Sequence, residues 1–234
     1  MRETETSFLN DLEGVGLENF TAETTATPYL TMVQPDSTAA ANGSAPGVWR
    51  NSTTNEEYGN VVRVVVLGFR TVWNERDPNP PFMTVARYEP KSIEVQVQQP
   101  KNGQGYPRMI NPKTGNEIQE LFVYAVQLPE HPEAGVLLFC PTVSSMRACK
   151  TWNSQLATQR LSNGRPAPIF AYTWNLACDL VDNPAKKGAK MSKLVKCQRD
   201  ALIAEDFFKE EVQPRVGTIQ QTVLAINGPD TIEA

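Results

Sequence analysis

The sequence predicts a mainly β protein with one or two helices and long loops, built as a small barrel or sandwich. Three observations carry this reading. From residue 58 onward, short β-branched and aromatic runs alternate with segments rich in Gly, Pro and Asn. Only two stretches join a capping residue to apolar positions at helical spacing. The chain is 40% apolar over 234 residues, enough for one large core, and no apolar run approaches the length of a membrane span.

Taken in order, residues 1–27 are rich in Glu and Thr and read as an acidic N-terminal arm, in which Phe8, Leu9, Leu12, Val15 and Leu17 could form a short amphipathic turn. Order is expected from Pro28 through Pro35, followed by a small-residue loop over 36–47. Residues 61–69 read as a central strand that 71–73 extends and 74–81 breaks. Residues 84–88 and 93–98 are shorter strands, and 99–117 form a long loop or hairpin excursion. Residues 121–127 and 135–140 pair across the turn at 129–133, and 169–180 hold a further strand. Ser144 or Ser145 caps a helix running to about Leu161, with Met146, Cys149, Asn153 and Leu156 on one face and Trp152 beside them. Asp200 caps a second helix from Ala201 to Val212, ended by Pro214 and packed through Leu202, Ile203, Phe207 and Phe208. The expected organisation is an acidic arm (1–27), a main domain (28–199) and an acidic helix and tail (200–234), with Asp230 and Glu233 in the last few residues.

The net charge of −4 hides an asymmetry: −6 over residues 1–44, +7 over 45–199 and −5 over 200–234. A basic middle suits a polyanion, and an acidic end can compete with that polyanion or recruit a partner. Met1 leads into no signal-peptide pattern, and the four cysteines form no disulfide framework. The expected compartment is therefore reducing and cytoplasmic.

Enzyme chemistry is not expected. The single histidine, His131, has no Cys partner at a zinc spacing, and Cys140, Cys149, Cys178 and Cys197 contain no Cys-x-x-Cys pair. No phosphate-binding glycine loop or nucleophile elbow occurs. Asp179 and Asp182 read as solvated loop charges. No metal and no cofactor are expected.

What is present is an alternation of aromatic and basic residues. In 69–76 (FRTVWNER), strand geometry places Phe69, Thr71 and Trp73 on one face, and Arg70 and Val72 on the other. Arg87 and Tyr88 end a neighbouring strand. Single-stranded nucleic acid needs this mixture, because aromatic faces stack bases and cations track phosphates. Trp73 and Tyr88 are the expected stacking residues, with Arg70 and Arg87 on phosphate. The second cluster, 186–199, has six basic residues and no acid. It reads as a projecting loop in which Lys186, Lys187 and Lys190 clamp phosphate. Arg147 and Lys150 on the first helix complete the candidate set.

Three stretches carry a family resemblance: 28–35 with Gly47 to Ser52 and Glu57-Tyr58-Gly59; the strand 61–73 ending in an aromatic; and 141–153 followed by 164–170. On these motifs the chain resembles bacteriophage proteins described as single-stranded-DNA-binding or replication-associated. It departs from them at 74–81, which lacks the glycines of the corresponding acidic loop. The resemblance implies an OB-like barrel with a helix, no cofactor, and DNA contacts on the strand face during replication or recombination in the infected host's cytoplasm. Two other readings stand beside it: a β-rich virion or scaffold protein that assembles without DNA, and a protein that binds a host or phage enzyme through its acidic ends.

Overall fold

A computed structural model describes residues 27–79, 84–100, 107–184 and 186–217. The acidic arm up to residue 26, the tip of the 99–117 excursion at 101–106, and the tail from 218 lie outside the described residues. No helix among the described residues is long and apolar enough to cross a membrane.

The fold is mainly β. A two-stranded unit, β1 (Leu30–Met32) and β2 (Trp49–Asn51), flanks α1 (Thr38–Ala41). An eight-stranded antiparallel sheet then builds around β3 (Val61–Arg76). Its partners are β4 (Thr84–Tyr88), β5 (Gln96–Gln98), β6 (Arg108–Ile110), β7 (Glu117–Gln127), β8 (Val136–Phe139), β9 (Tyr172–Asp182) and β10 (Lys190–Leu202). The main path runs β10-β9-β3-β7-β6-β5, with β4 on β3 and β8 on β7. The long β3 pairs β9 with its first half and β4 with its second, while β7 lines its other edge. A register shift between Val66 and Gly68 falls midway, and such a bulge bends a strand and increases its twist. The six-strand path curls into a half-barrel that fits an OB-like barrel.

The pleat sends alternate residues into two cores. On one face Val62, Val64 and Val66 join Phe122, Tyr124 and Val126 beneath α2 (Met146–Thr158). Here Tyr124 stacks on Trp152 at 4.6 Å. Its hydroxyl donates to Asn153 Oδ1 at 2.8 Å. On the other face Val65, Leu67, Val72, Val123 and Ala125 are covered by Phe207, Phe208 and the fully buried Val212.

Four expectations are corrected. The first helix ends at Thr158 rather than Leu161, because Gln159 turns extended (φ −61°, ψ 145°). The first long strand does not break at Asn74 but continues to Arg76. Within 186–199 only residues 186–189 form an exposed turn, closed by Asn183 N–H on Ala189 O (2.9 Å); from Lys190 the segment is not a loop but strand β10. Residues 200–202 are strand rather than helix. Only Glu205–Phe207 (α3) and a π-helical turn over Phe208–Val212 are helical there. The packing of Ile203, Phe207 and Phe208 on the sheet holds, whereas Leu202 is exposed.

Candidate nucleic-acid interface

The sequence-predicted residues fall in two places. The first is the β3–β4 ladder, where Trp73 pairs with Tyr88 and Asn74 with Arg87. Trp73 and Tyr88 therefore share one face of the sheet, and Arg70 and Arg87 share the other. The Trp73 ring is only 8% exposed, so it belongs to the packed interior and offers no free face to a base. The Arg70 guanidinium pairs with Glu89, and its side chain is 11% exposed. Arg87 lines a small recess with Tyr29, Val72 and Cys140. These four residues do not form one surface.

Tyr88 is fixed by a neighbour that sequence reading passed over. Glu75, on the same strand as Trp73, is 1% exposed. Its carboxylate accepts four hydrogen bonds: from Tyr88 Oη (2.7 Å), Asn111 Nδ2 (2.9 Å), Thr114 Oγ1 (2.6 Å) and Asn116 Nδ2 (2.8 Å). Burial alone would raise the Glu75 carboxyl, but these donors outweigh it and hold it below the usual carboxylate range. Burial, together with the bond to the anion, pushes the Tyr88 phenol up to about 12. Its hydroxyl is thus a permanent donor, while its ring stays partly exposed.

The second place is the β9–β10 hairpin with α2. Lys186 and Lys187 are exposed in the turn, and Lys190 pairs with Asp182 at 2.7 Å. Along β10 the cations recur as Lys190, Lys193, Lys196 and Arg199. Their partners on β9 are Asp182, Asp179, Ala177 and Trp174. By this register Lys190 and Arg199 share the face of Trp174, and a bulge between Leu194 and Lys196 puts Lys193 and Lys196 together on the opposite face. The row of charge therefore straddles the strand. Arg147 and Lys150 are exposed on α2.

Between the end of α2 and β10 lies a groove of about 690 Å³ in which Arg160, Lys196 and Arg199 meet Gln155 and Gln198. The Arg199 guanidinium sits 4.8 Å over the Tyr172 ring. The Tyr172 hydroxyl donates to Arg160 O at 2.6 Å. Trp174 Nε1 and Gln159 Oε1, on buried residues lining this groove, have no hydrogen-bond partner. Lys196 and Arg199 belong to the cationic run 186–199 and Arg160 lies just past α2, but the sequence had no signal for the groove, which exists only once α2 lies against β10.

As an end strand of the sheet path, β10 has an edge that side chains cover in part. Gln34 Nε2 donates to Ser192 O (3.1 Å), and Ser192 N–H donates to Gln34 Oε1 (3.0 Å), as a neighbouring strand would do. Leu194 N–H donates to Ser145 Oγ at 3.1 Å. Desolvation raises all four thiols, Cys178 to about 11, Cys149 to about 12 and Cys140, although solvent reaches part of its surface, to about 11. None is therefore an activated thiolate at neutral pH. Among the described residues one group, Glu56, His131 and Glu133, has metal-ligand spacing.

The fold and surface define a mainly β, OB-like protein with a cationic hairpin and groove. Residues 2–211 match the family model described as Pam3 phage gp34-like protein. The chain belongs to that family and is a bacteriophage protein. Comparisons with curated proteins and with solved structures gave no significant match.

Proposed function

We propose that this phage protein binds single-stranded DNA without sequence preference, in replication or recombination. The observation that carries the reading is the cation row of the β9–β10 hairpin, running from Lys186 to Arg199 and facing Arg160 across the groove. A strand rises about 3.3 Å per residue, so cations three residues apart lie about 10 Å apart along the edge. A phosphate chain laid along β10 meets charge from both faces of the strand. Arg199, stacked on Tyr172, offers its outer plane to a base. Lys186, Lys187, Lys190, Arg147 and Lys150 extend this surface. Tyr88 and Arg87 remain as a second contact on β4, and the buried Trp73 and the ion-paired Arg70 leave the set.

The test is fluorescence anisotropy with a labelled oligonucleotide at several salt concentrations. With about five phosphates neutralised, the slope of log affinity against log salt is about −3.5, and a fourfold rise in salt weakens binding about 100-fold. Reversing charge in the groove with Lys196→Glu and Arg199→Glu flattens the slope, whereas Arg70→Glu does so less. A dissociation constant indifferent to salt, or a preference for duplex, defeats the proposal.

A further inference from the structure

We propose that Glu56, His131 and Glu133 bind a zinc-class divalent cation, independently of the nucleic-acid reading above. The three residues come from two segments far apart in sequence. Glu56 lies in the loop between β2 and β3, and the others lie in the turn between β7 and β8. Both segments are held in place by backbone hydrogen bonds. Asn51 N–H donates to Glu56 O (2.9 Å), and Tyr58 N–H donates to Trp49 O (2.8 Å). His131 N–H donates to Leu128 O (3.1 Å), and Ala134 N–H donates to His131 O (3.1 Å).

Tyr58 orients two of the three side chains. Its ring lies 4.8 Å from the imidazole, and its hydroxyl donates to Glu56 Oε2 at 3.1 Å. That leaves Glu56 Oε1 directed at His131 Nδ1, 3.3 Å away, with Glu133 Oε1 3.4 Å from the same nitrogen. All three ligand atoms lie within 4.8 Å of one another.

The spacing separates two explanations. An imidazolium hydrogen-bonded to a carboxylate closes to about 2.7–2.9 Å. A tetrahedral zinc with bonds of about 2.1 Å sets neighbouring ligand atoms about 3.4 Å apart. The two imidazole–carboxylate distances, 3.3 and 3.4 Å, fit the second, and the two carboxylate oxygens lie within 4.8 Å of each other. One imidazole with two carboxylates suits zinc rather than magnesium or calcium, which favour all-oxygen shells. Two carboxylates and a neutral imidazole neutralise the ion and leave a fourth position for water. A bound ion ties the β2–β3 loop to the β7–β8 turn through side chains that share no sequence motif.

His131 is the only histidine in the chain, so its imidazole NMR signals report this site alone. Untagged, ¹⁵N-labelled full-length protein is titrated with zinc chloride, with magnesium chloride as the control. The expected result is saturation at one equivalent, with both imidazole nitrogens shifted and no response to magnesium. His131→Ala and Glu56→Gln should each weaken zinc binding at least tenfold by calorimetry. Glu133, whose side chain is 66% exposed, can be changed to Gln without touching the core, and this change should also weaken binding. Cobalt in place of zinc should give no thiolate charge-transfer band. Imidazole signals that move with pH but not with zinc overturn the proposal, as does zinc binding that survives Glu133→Gln and Glu56→Gln together.

Discussion

Replacing Glu75 should cost more than any surface substitution on this protein. The side chain is buried and accepts from four donors. A hydrogen bond to a charged group contributes about 1.5–3 kcal/mol, but the four do not count equally. Thr114 is exposed, and Asn116 is half-buried, so both can turn to water. Asn111 is buried, and the Tyr88 hydroxyl donates beside it in a part-buried bond. These two donors set the loss, about 3–5 kcal/mol for Glu75→Ala. Glu75→Gln keeps the shape but turns one end of the acceptor into a donor facing donors, at about 2–4 kcal/mol. Both are large fractions of a total stability of about 5–15 kcal/mol.

Urea unfolding followed by tryptophan fluorescence measures this, as a shift of midpoint at constant slope. The pH dependence supplies an independent check. The folded carboxyl titrates below its ordinary value, so its stabilisation is fully present above the unfolded pKa of about 4.3 and is lost as pH falls through the folded value. Glu75→Gln should therefore flatten the acid limb of the stability curve and leave the neutral-to-alkaline limb parallel to the parent. A loss under about 1 kcal/mol for Glu75→Ala, or an unchanged acid limb, refutes the argument that the network is a buried anchor.

Tyr88→Phe keeps the ring and removes the donor to Glu75. It should cost about 1–2 kcal/mol of stability while leaving oligonucleotide affinity within about twofold, whereas Tyr88→Ala should also lose about 1–3 kcal/mol of binding; equal binding by the two variants removes Tyr88 from the interface. Gln34→Ala uncovers both backbone groups of Ser192 on the edge strand and should raise concentration-dependent association in light scattering. Val212→Ala, at a fully buried site on the second core, should cost about 1–3 kcal/mol in urea unfolding; no change would mean that the C-terminal turn is not part of the cooperative unit.

The β-rich class, the α2 helix and the β7–β8 hairpin were legible because local pattern and tertiary role agree there. Cys149 and Leu156 face the core as their spacing predicts, and the 129–133 turn joins two apolar runs. The end of β3 was not legible, because Asn74, Glu75 and Arg76 are poor strand formers. Their strand state is enforced by the Glu75 network and by pairing with β4 and β7, which no local window contains. The β10 strand was hidden for a different reason. An edge strand carries polar residues on both faces, so the lysines mask the alternation, and only Ser192 and Leu194 are buried in it. The Glu56–His131–Glu133 group was not legible because Glu56 is far from His131 in sequence and meets it only through the fold.

The same edge geometry explains why the hairpin, rather than the aromatic strand, is the stronger candidate for a polyanion. At the centre of the sheet, β3 is paired on both edges; Trp73 is buried, Phe69 packs edge-on against Phe122 with part of its ring exposed, and Arg70 is held in an ion pair. At the end of the sheet path, β10 lies against β9 on one edge, with Gln34 and Ser145 meeting its backbone at Ser192 and Leu194 only. The stretch beyond Val195 carries Lys196 and Arg199 beside an open groove. Charge at an edge strand discourages sheet-to-sheet association and attracts a phosphate chain; one row of residues can do both. The two roles part experimentally. Lys196→Gln with Arg199→Gln removes the cations but leaves a polar edge, so it should lower oligonucleotide affinity without promoting association. Gln34→Ala should promote association without lowering affinity at dilute protein. If the lysine and arginine changes promote association but leave affinity intact, the row is an edge guard alone, and the nucleic-acid contact lies elsewhere on the molecule.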